Sequence, residues 1–163
     1  MKSETVGFGT HIIIDGRGAN PERLADTERV RQLAVRLAEQ LDPGNPPHIA
    51  LYQTGADDQR GISAGAVMPE SQLVLHTFPA RRLVSLDAFS RRETSPWSLV
   101  EALGTSFEVG RVESYLANRA RTLPRDPVRL EPAILGDRGY VSVRLDDSLL
   151  ATETTAEPGR EGP

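Results

Sequence analysis

Glu70-Ser71-Gln72-Leu73-Val74-Leu75-His76-Thr77-Phe78-Pro79 is the stretch on which the reading of this chain turns. An apolar run that ends at Pro79 and starts just after Pro69-Glu70-Ser71 predicts a strand over 72–78. Residues 62–68 predict its neighbour, with Pro69-Glu70-Ser71 as the turn between them. The same stretch places a serine beside a backbone carbonyl it can attack, with a histidine five residues further on. That is the minimum for self-processing. The hydroxyl attacks the preceding carbonyl, an ester forms, elimination breaks the chain, and hydrolysis of the resulting enamine releases ammonia and leaves a ketone at the new N-terminus. The commoner meaning of Glu-Ser before an alternating run is simply the start of a strand. Parity also matters, because residues five apart face opposite sides of a regular strand. Ser71 and His76 meet only if Ser71 lies in the turn, off the ladder.

Working outward, Gly9-Thr10-His11-Ile12-Ile13-Ile14-Asp15 predicts a short buried strand. Gly16-Arg17-Gly18-Ala19 reads as a turn. Asn20 suits a helix cap and Pro21 the first helical position. Leu24, Val30, Leu33, Ala34, Leu37, Ala38 and Leu41 keep helical spacing, so one helix is expected to about residue 41. Asp42-Pro43-Gly44 stops it. Residues 48–53 predict another strand, and 54–61 a polar loop. Residues 82–89 alternate as a further strand. Ser95-Pro96 opens a short helix with Leu99, Val100 and Leu103, expected to end at Gly104. Residues 107–116 predict a strand, 120–136 a connector, and Tyr140–Leu145 one more strand. The polar segment 152–163 is expected to be disordered. Strands interrupted by helices in this order predict an α+β fold with the helices on one sheet face.

Composition narrows the function. The chain has 163 residues, a net charge of −4 and no cysteine. One domain is the natural count. Thiol nucleophiles and Cys-type metal sites are excluded. The acidic balance argues against nucleic-acid binding. No apolar run suffices to span a membrane. Met1-Lys2-Ser3-Glu4 lacks the features of a signal peptide, and a cysteine-free chain fits a reducing cytoplasm. His11, His48 and His76 make no metal-ligand spacing, so no metal site is expected.

The motifs, taken together and in order, resemble the prokaryotic class of S-adenosylmethionine decarboxylase proenzymes. The resemblance rests on Gly9–Asp15, Asn20-Pro21-Glu22-Arg23-Leu24, Gly61-Ile62-Ser63, Glu70-Ser71 with Leu73 and His76-Thr77-Phe78-Pro79, Asp87-Ala88-Phe89 and Pro96-Trp97. It covers residues 1–119 as a decarboxylase-like domain, leaving 120–151 as an extension. It implies a two-layer α/β sandwich with a mainly antiparallel sheet. It implies cleavage between Glu70 and Ser71, with Ser71 becoming a pyruvoyl group that condenses with the amine of an amino-acid-type substrate. It also implies that Ser63 and His76 assist processing, and that two chains pair as a homodimer with active sites at the interface.

Four positions depart from the pattern. Gln72 stands where the family has histidine. Arg91 stands at the place of a proton-donating cysteine, Ala80 at that of a ribose-gripping acid, and Asp57 at that of an aromatic that stacks on adenine. Arg91 can hold a substrate carboxylate, and its plainer reading is one half of a solvated basic pair with Arg92. Asp57, beside Asp58, can meet a cationic substrate, and its plainer reading is a solvated loop. The expected activity is therefore a pyruvoyl-dependent decarboxylase. Its substrate is S-adenosylmethionine, as in spermidine synthesis, or a switched amino acid such as ornithine or arginine. The alternative is an unprocessed, inactive homologue that acts as a binding or regulatory partner.

Overall fold

Ile12 and Ile14, the inner members of the isoleucine run, are fully buried in strand β1 (Gly9–Arg17). The computed structural model describes residues 9–56 and 59–119, with residues 126, 128, 129, 131–133, 135 and 136. After β1 come helices α1 (Pro21–Ala25) and α2 (Thr27–Leu41). Strands β2 (Ala50–Thr54), β3 (Gly61–Val67), β4 (Ser71–Phe78) and β5 (Leu83–Ser90) follow. Helix α3 (Pro96–Phe107) and strand β6 (Arg111–Arg119) complete the described fold. All six strands form one sheet in the order β2-β3-β4-β5-β1-β6, every neighbouring pair antiparallel. The α+β reading with an antiparallel sheet holds.

The helix expected over 20–41 is two helices. Asn20 caps α1, its side-chain oxygen accepting from the N–H groups of Glu22 and Arg23. Asp26 repeats the device, accepting from Glu28 and Arg29, and so starts α2 in a new direction. The periodicity read as one helix spans this junction because both helices bury the same face, Leu24 first and then Val30 to Leu41. Helix α3 runs past Gly104 to Phe107, and Glu108 ends it in the left-handed conformation. A single glycine costs a helix only about 1 kcal/mol relative to alanine, and buried Leu103 and Phe107 outweigh it. Strand β6 consequently starts at 111 rather than 107. Described positions between 128 and 136, expected as a connector, are helical. The Tyr140–Leu145 strand and the tail lie outside the described residues.

The core lies between one sheet face and the helices. Leu73 and Leu75 of β4, Val84, Leu86 and Ala88 of β5, and Ala64 of β3 meet Leu33, Leu37, Leu41, Leu99, Leu103 and Phe107. Two buried hydroxyls tie the layers together. Thr77 Oγ1 donates to the carbonyl of Leu24 at 2.9 Å, and Ser90 Oγ to that of Leu41 at 3.2 Å. The second bond pins the end of α2 to β5, directly beside the Glu70–Ser71 peptide. Among the described residues no helix is long and apolar enough to cross a membrane.

Candidate active site

Ser71 is the first residue of β4 and pairs with Ser90 of β5. It was expected in the turn; instead it stands on the ladder. Its carbonyl accepts from the N–H of Met68 at 2.8 Å, which closes the tight β3–β4 connection and draws Ser71 into the strand. The burial of β4 alternates from there, so Ser71 faces the core with Leu73, Leu75 and Thr77. Ser71 is 4% exposed, and its Oγ is buried with no hydrogen-bond partner among the described residues. A buried hydroxyl without a partner forfeits its hydration for nothing in return.

Both backbone groups of Glu70 and one carboxylate oxygen are held. Its N–H donates to Asp42 Oδ2 at 3.1 Å. Its carbonyl, the one adjoining Ser71, accepts from the N–H of Arg91 at 3.0 Å. Its carboxylate Oε2 accepts from Arg92 Nε at 2.6 Å. Arg92 Nη2 also lies 3.4 Å from Asp42 Oδ1, and Asp42 is completely buried at the C-terminal cap of α2. Glu70, through its hydrogen bond, raises the already high pKa of the Arg92 guanidinium, with a smaller push from Asp42. The expected basic pair thus divides its work. Arg92 makes the ion pairs, and Arg91 reaches the site through its backbone.

His76 stands on the opposite face of the same strand. It pairs across the ladder with Ser63 of β3, and Ser63 Oγ lies 2.8 Å from His76 Nδ1. The ring of Phe78 stacks against it at 6.4 Å between centroids. The register extends this contact into a row across the whole sheet: Tyr52, Ser63, His76, Ser85, Asp15 and Glu113. Within the row Ser85 Oγ donates to Asp15 Oδ1 at 2.6 Å. Ser63 and His76, each expected to assist at Ser71, are therefore brought to one another, while neither shares a face with Ser71 of its own chain.

Of the remaining expected residues, Asp57 lies outside the described residues. His11 bonds Asp87 across β1 and β5, with Nε2 and Oδ1 2.5 Å apart. Among the described residues no cluster could hold a metal ion. A shallow depression of about 460 Å³ runs beside the β3–β4 hairpin, lined by residues that include His48, Gly65, Gln72 and Val74. Asp42 and Ser90 escaped sequence reasoning. Asp42 read as a helix stop, and nothing local to it reveals that the stop is buried against residue 70. Ser90 lies just past the strand expected over 82–89; only the register shows it opposite Ser71.

Comparison with known proteins agrees with this fold. The family described as S-adenosylmethionine decarboxylase matches residues 10–120. The S-adenosylmethionine decarboxylase proenzyme of Thermodesulfovibrio yellowstonii is 33% identical over 87 residues, 53% of this chain and 62% of that one. The arginine decarboxylase proenzyme of Aeropyrum pernix is 31% identical over 103 residues, 63% of this chain and 76% of its own. That of Caldivirga maquilingensis is 29% identical over 90 residues, 55% of this chain and 66% of its own. Several of these matches span less than two thirds of the relative's length. The crystal structure of adenosylmethionine decarboxylase from Aquifex aeolicus superposes with a TM-score of 0.56 at 16% identity, covering 68% of this chain and 89% of that one, a likeness of fold. On the match over residues 10–120, the chain belongs to the S-adenosylmethionine decarboxylase family.

Proposed function

We propose that this chain is a self-processing, pyruvoyl-dependent decarboxylase, cut between Glu70 and Ser71. The observation that carries the reading is the Ser71 hydroxyl, buried and unpartnered beside a carbonyl that is itself held in place. The residues present fit the group that processing would form. Ser71 supplies its atoms, and the apolar lining of β4 and β5 shields a ketone from water. Such a ketone supplies an electron sink for the electrons that departing carbon dioxide leaves behind. His76, hydrogen-bonded to Ser63, is a proton carrier suited to neutral pH.

The exposed side chains on the face that carries His76 favour a pair of chains. A second copy laid on the face turned away from α1, α2 and α3 covers exposed Tyr52, Val74 and Tyr115. It brings the Ser63–His76 pairs of the two copies onto one shared face. The substrate is an amino acid. Ala80 offers no hydrogen bond to a ribose, and two of the relatives are named arginine decarboxylase proenzymes. Both points favour a smaller, cationic acid such as arginine over S-adenosylmethionine.

Intact mass under denaturing conditions tests processing: two fragments, residues 1–70 and 71–163, the second blocked to Edman sequencing. A single mass after long incubation favours the inactive homologue instead. Carbon dioxide release from S-adenosylmethionine, ornithine, arginine and lysine on processed protein then ranks the substrates. Efficient turnover of S-adenosylmethionine alone contradicts the switched-substrate reading.

A further inference from the structure

We infer that Asp42, Arg92 and the backbone N–H of Arg91 form a clamp that presents the Glu70–Ser71 peptide for self-cleavage, with the Arg91 N–H as oxyanion donor. This rests on the processing reading above and adds the residues that set its geometry. In the step served, Ser71 Oγ bonds to the Glu70 carbonyl carbon and the bond from that carbon to the Ser71 nitrogen breaks. The hydroxyl proton ends on that nitrogen. Negative charge gathers on the Glu70 carbonyl oxygen while the tetrahedral centre exists. That oxygen is the atom the Arg91 N–H already faces at 3.0 Å. A donor aimed in advance at a developing charge needs no rearrangement when the charge arrives.

Three elements converge to fix this one peptide. The end of α2 supplies Asp42, which takes the Glu70 N–H. The end of β5 supplies Ser90, paired with Ser71; its Oγ accepts from the N–H of Arg92 at 3.0 Å and donates to Leu41 of α2. The turn after β5 supplies the Arg91 N–H and the Arg92 guanidinium. A surface turn needs none of this for stability. An exposed ion pair adds little, and a carboxylate with 0% exposure, like that of Asp42, is costly to bury. The arrangement is explained when the backbone at Glu70 must be immobile. A small misplacement of a reacting group costs about a hundredfold in rate.

The test follows fragment 71–163 by intact mass in freshly purified protein. Arg92→Ala and Glu70→Ala are each expected to slow its appearance about 10- to 100-fold. Because both remove the same contact, the double variant should be no slower than the slower single one. Methylguanidinium in the buffer should restore cleavage to Arg92→Ala and leave Glu70→Ala slow, a rescue that a loss of folding would not show. Arg92→Lys, which keeps the charge but not the planar fork, should fall between. Thermal melts confirm that the variants are folded; Glu70 and Arg92 are partly exposed, so a native melt is expected. Cleavage of both single variants at the wild-type rate overturns the clamp and leaves the proposed function standing. Additive slowing in the double variant also overturns it. A wild-type chain that never cuts overturns both.

Discussion

Against its helices the sheet shows Ile12, Ile14, Ala64, Leu73, Leu75, Val84 and Leu86, all buried, and among them the paired serines Ser71 and Ser90. Its other face carries the row from Tyr52 through His76 to Glu113, polar and partly open to solvent. The first face is packed and dry, the second polar, and β4 belongs to both. A strand sends alternate residues to opposite faces. One eight-residue segment therefore carries a serine to the dry side and a histidine to the wet side. The lesson is that near neighbours in sequence along one strand stand in opposite environments.

The hardest test of this contrast is Ser71→Ala. It should abolish cleavage, leaving one mass near 17.8 kDa, because the hydroxyl that would attack the Glu70 carbonyl is gone. Residual cutting between residues 70 and 71 would show that the core-face hydroxyl is not the nucleophile.

The open face is tested next. Ser63→Ala, which removes the partner that orients His76, should slow processing by less than loss of the histidine itself, a proton carrier of a kind worth about 10²–10⁴ in rate. His76→Ala should slow it strongly. Mixing His76→Ala chains with Ser71→Ala chains sharpens the comparison. If a second copy supplies the histidine, the mixture cuts the His76→Ala chain. A mixture as inert as its components would return the reaction to a single chain.

Stability should divide the faces in the opposite sense. Leu37→Ala, on the fully buried side of α2, should cost about 2–5 kcal/mol in denaturant unfolding. Val74→Thr, half-exposed on the polar face, should cost less than about 0.5 kcal/mol. Equal losses would mean that the open face is packed in solution, as a pairing of copies requires. The smallest effect expected is from Asn20→Ala, which removes the α1 cap and should cost about 1 kcal/mol.

How much of this was legible in the sequence depends on range. Local signals carried most elements. Asn20-Pro21 gave the start of α1, the isoleucine run gave β1, and alternation gave β4 and β5 within a residue or two. Ser63 and His76 were singled out by a resemblance, and their contact comes from a ladder that sets residues 63 and 76 opposite each other. What stayed hidden was decided by distance in the chain. Asp42 acts on residue 70, and Arg92 acts on both. Such contacts depend on where α2 ends relative to β5, which no local pattern encodes. The split at Asp26 was missed for a related reason. Both helices share one buried face, so the spacing of leucines ran on through a change of axis that only the cap reveals.

The strand order carries a consequence of its own. A cut after residue 70 assigns β1, β2 and β3 to one fragment and β4, β5 and β6 to the other. In the sheet these do not separate into two blocks, because β1 lies between β5 and β6. The fragments are threaded through one another like interlaced fingers, so neither can leave without breaking strand pairs on both sides. Cleavage would therefore leave the shape intact while changing the order of the unfolding reaction. An uncut chain not paired with a second copy melts at a temperature independent of its own concentration. A cut one must also dissociate, and its melting point should climb as the protein is concentrated.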